Sequence, residues 1–213
     1  MVSTSLSTAL VQAPILGIVR TEVADLGEQI VAALMGGGIR AIEVSLTSTD
    51  PLATFARALA RVAEGVTLGI GTVRTGADAD RSIAAGAQFL VSPNLSEDVL
   101  NAARDAAIPV VCGVLTPTEI QRALDSGVEW LKIFPAGSFG PRYISDLLAP
   151  FPGVKFVPTG GLRVGDISSY RRAGATAIGL AGALASSAQV AGGDWDSIGV
   201  SARAALTAWT GRV

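Results

Sequence analysis

Short runs of apolar and β-branched residues recur along the chain at residues 15–20, 41–46, 67–72, 88–92, 109–115, 130–134, 154–159 and 177–181. Each run has the length and composition of a buried strand. The runs start about 20 to 26 residues apart, and Ala-rich stretches with helical periodicity fill the intervals. Those stretches often end in glycine, as at Gly36-Gly37-Gly38, Gly86, Gly127 and Gly174, where a left-handed residue closes a helix. The repeating unit is therefore strand, loop, helix, turn.

Strands that are apolar at nearly every position need cover on both faces, which crossover helices on a parallel sheet supply. Eight such units predict a single α/β domain over residues 1–213, a closed (β/α)8 TIM barrel, with an open doubly wound sheet as the alternative. At 213 residues the chain lies near the lower limit for the barrel and leaves little length for a second domain. Leu6, Leu10 and Val11 suggest a short N-terminal helix or arm covering the bottom of the barrel. Ile198, Ala202, Leu206 and Trp209 recur at helical spacing within residues 194–213, which predicts an amphipathic C-terminal helix packed on the outside.

Composition narrows the function. Hydrophobic residues make up 49% of the chain, charged residues 16%, and the formal net charge is -2. Fourteen Arg, two Lys and 18 acidic residues are spread without a basic stripe, which argues against nucleic-acid and membrane partners and leaves a small-molecule substrate. Histidine is absent and Cys112 is the single cysteine, so His- or Cys-based metal sites, Ser-His triads and Cys-His dyads are excluded. No metal or cofactor is expected. One cysteine forms no internal disulfide, and the N-terminal sequence lacks the basic start and long apolar run of a signal peptide. The expectation is a soluble cytoplasmic protein.

In such a barrel, reactive groups gather at the C-terminal strand ends. Lys132 interrupts the apolar run Trp130-Leu131-Lys132-Ile133-Phe134-Pro135 in a chain that otherwise uses Arg almost throughout. An amine among apolar walls can lose its proton and attack a carbonyl, which a guanidinium cannot. A Schiff-base role follows, against the alternative of a snorkelling or ion-paired lysine. Lys155, at the start of its strand, reads as structural.

Glu43 within Ala41-Ile42-Glu43-Val44 is costly in an apolar strand unless it is paired, hydrated or used. It suits proton transfer beside an amine, or a buried ion pair with no chemistry. Arg20, ending the first strand, suits a substrate carboxylate or a surface ion pair. Gly160 and Gly161 after strand seven, and the segment from Gly179 to Gly182 after strand eight, occupy loops where many barrels bind phosphate through backbone N–H groups, although Gly-Gly pairs are also common in ordinary turns.

The segments Gly17-Ile18-Val19-Arg20, Ile42-Glu43-Val44-Ser45-Leu46, Gly69-Ile70-Gly71-Thr72-Val73, Gly86-Ala87-Gln88-Phe89 with Ser92-Pro93-Asn94, Leu131-Lys132-Ile133-Phe134-Pro135 and Pro158-Thr159-Gly160-Gly161 together span nearly the whole chain. In them the sequence resembles the class I pyruvate-dependent aldolases that cleave 2-keto-3-deoxy-6-phosphogluconate or its galactonate epimer. The resemblance implies a metal-free homotrimeric barrel in which Lys132 forms an imine with pyruvate and Glu43 is the general acid/base. It places Thr72 and Pro93 at the pyruvate end, Phe134 beside them, and Gly160 and Gly161 at the phosphate.

Two departures bear on substrate. Thr47 stands where gluconate-type relatives carry a carboxylate-binding Arg, which resembles the galactonate branch with Arg20 taking over. Thr159 before the Gly-Gly pair is instead the gluconate-type residue. On strand eight, Ala181-Gly182-Ala183 lacks the serine that relatives place in the phosphate loop. The expected activity is cleavage of a 2-keto-3-deoxy-6-phospho sugar acid to pyruvate and glyceraldehyde 3-phosphate. Alternatives are decarboxylation of a keto acid such as oxaloacetate, cleavage of a non-phosphorylated acid, and a non-catalytic phosphometabolite-binding barrel.

Overall fold

The computed structural model describes residues 5–23 and 26–211. Among them, eight strands alternate with helices in chain order. The strands are β1 (Ile15–Val19), β2 (Ala41–Ser45), β3 (Thr67–Gly71), β4 (Leu90–Val91), β5 (Val110–Val114), β6 (Trp130–Ile133), β7 (Lys155–Phe156) and β8 (Ile178–Leu180). The helices are α1 (Leu6–Gln12), α2 (Gly27–Gly36), α3 (Pro51–Leu59), α4 (Gly76–Ala84), α5 (Glu97–Asp105), α6 (Pro117–Asp125), α7 (Pro141–Leu148), α8 (Ile167–Arg172), α9 (Ser187–Ala191) and α10 (Trp195–Thr210).

Local sequence explains where the helices begin and end. Thr75 accepts the Asp78 N–H at the start of α4, and Thr116 and Glu119 form a reciprocal capping box ahead of α6, with Pro117 in its first turn. Gly86 and Gly127 follow α4 and α6 with φ of 91° and 80°, a conformation that glycine adopts without steric penalty.

The strands pair in parallel in the order β7-β6-β5-β4-β3-β2-β1-β8. The two ends of this sheet meet: Thr176 N–H donates to the Phe156 carbonyl at 3.0 Å and Gly179 N–H to the Pro158 carbonyl at 2.9 Å. The expected closed barrel is thus the observed architecture, joined by a short seam between β7 and β8. β4 and β7 are shorter than the runs 88–92 and 154–159 suggest. Pro158 has no N–H to extend the β7 ladder, although Thr159 N–H still reaches the Ile133 carbonyl at 3.0 Å, and beside β4 Gln88 N–H donates to the Leu68 carbonyl and Ser92 N–H to the Val111 carbonyl, both at 3.1 Å.

Two apolar clusters divide the core. The larger lies between sheet and helices and includes Ile42, Leu68, Leu131 and Phe156. The smaller fills the lower lumen with Leu16, Ala41, Phe89, Val91, Val111, Trp130, Val157 and Ala177, and α1 plugs it with Leu6, Ala9 and Leu10. Val11, expected on the same helical face, is 70% exposed: five residues after Leu6 it is rotated well away from that face, and Ala9 takes the place instead. At this end Trp130 Nε1 donates to Ser7 Oγ at 2.9 Å, and Ser7 donates to Glu129. Lys155 pairs with Glu129 and lies 5.0 Å from the Trp130 ring, at the opposite end of the barrel from the strand C-termini.

α10 packs against α2 and α8 and buries Ile198, Gly199, Ala202 and Ala205. Leu206 and Trp209 are half-buried. The expected terminal segments at residues 1–4 and 212–213 lie outside the described residues.

Candidate active site

Because side chains alternate along each strand, every second residue enters the lumen. The register sets Ile18, Glu43 and Gly69 side by side across β1, β2 and β3, and Gly113 against Lys132 across β5 and β6. Glu43 and Lys132 are 1% and 6% exposed and are the two charged side chains buried among the described residues.

Luminal glycines make the room. A Cβ at Gly71 would overlap the Glu43 carboxylate, one at Gly113 would overlap the Pro93 backbone, and one at Gly179 would overlap the Thr159 hydroxyl. The glycines in these three strands are thus explained by what lies opposite them, and the space above the apolar plug is kept for polar groups.

The electrostatics follow from that enclosure. Burial pushes the Glu43 carboxyl above its ordinary range, and the charges of Lys132 and then Arg20 pull against that shift. Glu43 Oε2 has no hydrogen-bond partner. A buried polar atom of this kind costs about 1–3 kcal/mol. Lys132 Nζ lies 5.2 Å from the centre of the Phe134 ring, and Phe134 is 39% exposed at the mouth.

The remaining candidates fall into three groups. Thr47 and Thr72 are joined through Ser45, whose Oγ lies 2.8 Å from Thr47 Oγ1 and 2.7 Å from Thr72 Oγ1. Ser45 carries no chemical signal of its own in the sequence; its place two residues after Glu43, on the same strand face, is the one feature that marks it. Next, Gly160 packs against Phe134, where an added Cβ would come within 2.9 Å of the ring. Gly160 and Gly161 take φ of 94° and 73°, so two successive left-handed residues are required and the Gly-Gly pair has a conformational cause. Thr159, 3% exposed, bridges to Gly179 and donates its hydroxyl to the Val157 carbonyl at 3.1 Å.

Arg20 and Gly182 stand apart. Arg20 is exposed and lines a cavity of about 340 Å³ with Thr21, Glu22, Ala185, Ser187 and Val190, so it reaches Glu43 through its charge. Gly182 is exposed in the turn after β8, with open space where a Cβ would stand. Cys112, adjacent to Gly113, points the other way into the helix layer, and burial pushes its thiol up to about 11.

A buried amine and a carboxylate with a raised pKa, facing one enclosed lumen, are suited to carbonyl addition with proton shuttling. Comparison with known proteins points the same way. Residues 6–201 match the family described as aldolase: KDPG and KHG aldolase. Over 163 residues the chain is 35% identical to the 2-dehydro-3-deoxy-phosphogluconate aldolase of Treponema pallidum (strain Nichols), covering 76% of this chain and 77% of that one. Over 172 residues it is 33% identical to the probable 2-dehydro-3-deoxy-6-phosphogalactonate aldolase of Rhizobium meliloti (strain 1021), covering 80% and 81%. A crystal structure of KDPG aldolase from Legionella pneumophila, with pyruvate captured at low pH as a covalent carbinolamine intermediate, superposes with a TM-score of 0.81 at 25% identity, over 92% of this chain and 95% of that one.

Proposed function

The chain belongs to the KDPG and KHG aldolase family, and from that premise we propose that it is a class I aldolase, a carbon–carbon lyase cleaving a 2-keto-3-deoxy-6-phospho sugar acid of gluconate or galactonate type. The products are pyruvate and glyceraldehyde 3-phosphate. The observation that carries this reading is the shared burial of Lys132 and Glu43 in one lumen.

Lys132 Nζ adds to the C2 ketone, and loss of water leaves an iminium that draws electrons from the breaking C3–C4 bond. Glu43 accepts the C4 hydroxyl proton as the aldehyde departs. The enamine then takes that proton back at C3, and water hydrolyses the pyruvate iminium to free the lysine. A carboxyl whose pKa is raised by burial suits both halves of this exchange. Thr72, Pro93 and Phe134 shape the pyruvate end. Arg20 takes the carboxylate in place of the arginine absent at Thr47, and Thr159 meets the substrate hydroxyls. The Gly160-Gly161 turn and the backbone from Gly179 to Gly182 receive the phosphate through N–H groups. The same reading makes the protein a cytoplasmic homotrimer; among the described residues no helix is long and apolar enough to cross a membrane.

The test is pyruvate release from the two C4-epimeric substrates, each with and without the 6-phosphate. At least one phosphorylated epimer is cleaved, and Lys132→Arg lowers kcat on the order of 10⁴-fold or more while the circular dichroism spectrum is unchanged. Turnover that survives in the folded Lys132→Arg protein overturns the assignment.

A further inference from the structure

Three hydroxyls meet at the C-terminal ends of β2 and β3. Ser45 Oγ is 2.8 Å from Thr47 Oγ1 and 2.7 Å from Thr72 Oγ1, and Thr47 N–H also reaches Ser45 Oγ at 3.3 Å. Ser45 is fully buried, Thr72 half-buried and Thr47 exposed. Thr72 has φ of 61°, a left-handed conformation that a β-branched residue adopts only when its surroundings enforce it. Its neighbours supply that constraint: Leu46 N–H donates to the Gly71 carbonyl at 2.9 Å and Val73 N–H to the Val91 carbonyl at 3.1 Å. The strained backbone therefore holds the Thr72 side chain against Ser45.

Proton accounting gives this cluster a direction. A serine hydroxyl has one proton to donate and two lone pairs to accept with. At Ser45 the Thr47 N–H occupies one lone pair, which leaves one proton and one lone pair for two threonine oxygens. Ser45 therefore donates to one threonine and accepts from the other, so one threonine spends its proton on Ser45 and the other keeps its proton for a ligand. An anionic keto acid needs a donor, and of the two threonines Thr72 is the less exposed and directly follows Gly71, against which the Glu43 carboxylate packs.

We propose that Ser45 is a positioning residue: it accepts the Thr47 proton, donates to Thr72 Oγ1, and so fixes the Thr72 hydroxyl as a donor to the carboxylate of the bound keto acid. This rests on the aldolase reading above. Thr72 touches the substrate, and Ser45 acts through it. The exposed Thr47 terminates the relay, supplying the proton that keeps Ser45 oriented.

The test compares Ser45→Ala, the near-isosteric Ser45→Cys, Ser45→Thr, Thr72→Val and the double variant Ser45→Ala/Thr72→Val. Loss of one oriented hydrogen bond to a charged group corresponds to about tenfold in affinity. Ser45→Ala and Ser45→Cys are expected to raise KM about tenfold with a smaller change in kcat, and Ser45→Thr, which keeps the hydroxyl, to restore KM. Thr72→Val is expected to raise KM similarly, and the double variant to cost no more than Thr72→Val alone. Wild-type KM in folded Ser45→Cys, or additive losses in the double variant, overturns the relay. Borohydride trapping of pyruvate on wild-type Lys132 separates the two claims: a trapped adduct with additive losses sinks the relay alone, whereas an unlabelled wild-type lysine sinks the aldolase reading.

Discussion

Glu43 holds a carboxyl at 1% exposure with one oxygen unpartnered, and the cost of that burial has a measurable pH signature. Its folded-state pKa is raised above the ordinary 4.5. The proton it holds in the folded state therefore contributes stability fully below about pH 4.5 and loses it as pH rises through the folded value. A Gln at this position has no such dependence. Urea unfolding of wild type and Glu43→Gln is expected to show the variant gaining on wild type above pH 4.5, by up to about 1.4 kcal/mol per pH unit until the folded pKa is passed. A difference that stays flat or shrinks with rising pH contradicts the buried-carboxyl account. At this scale the sequence was informative where charge interrupts an apolar run, as at Lys132 and Glu43. It was silent where the proposed feature is the direction of a hydrogen bond. A serine in a strand is commonplace, and only the threonine oxygens on either side of Ser45 disclose its bonds. The register glycines were equally mute, because nothing local says that Gly71 faces Glu43 and Gly113 faces Pro93.

The elements bear out period more faithfully than they bear out ends. Eight apolar runs gave eight strands because full burial on both faces leaves a continuous apolar signature. β7 stopped short where Pro158 interrupts the ladder without changing the hydrophobic pattern, and β4 is shorter than its run although Gln88 and Ser92 still donate to the neighbouring strands. α1 shows the limit of reading a face from a short helix, with Leu10 buried in the lumen floor and its neighbour Val11 in solvent. That contrast is testable by chemical denaturation. Leu10→Ala is expected to cost about 2–5 kcal/mol as a luminal cavity opens, and Val11→Ala less than about 0.5 kcal/mol. Equal effects would mean that α1 does not plug the barrel. α10 makes a related point: it approaches α2 so closely that a Cβ on Gly37 would overlap Ala202. The large residues of its periodic pattern, Leu206 and Trp209, take the half-buried margin.

The whole molecule divides into an end packed with apolar side chains and an end that keeps space around buried polar groups. At the N-terminal mouth, α1, Trp130, and the Ser7–Glu129–Lys155 bonds close the barrel with packed apolar side chains and an ion pair. At the C-terminal mouth, glycines keep space open, polar side chains are buried, and two successive left-handed glycines shape a turn. The two lysines of the chain sit one at each end, so a single chemical experiment distinguishes them. Incubation with pyruvate and borohydride, followed by peptide mass mapping, tests the central claim most directly. Reduction of pyruvate onto Lys132, with Lys155 unmodified, is the predicted result. An unlabelled Lys132 under conditions where the protein stays folded would contradict the Schiff-base mechanism.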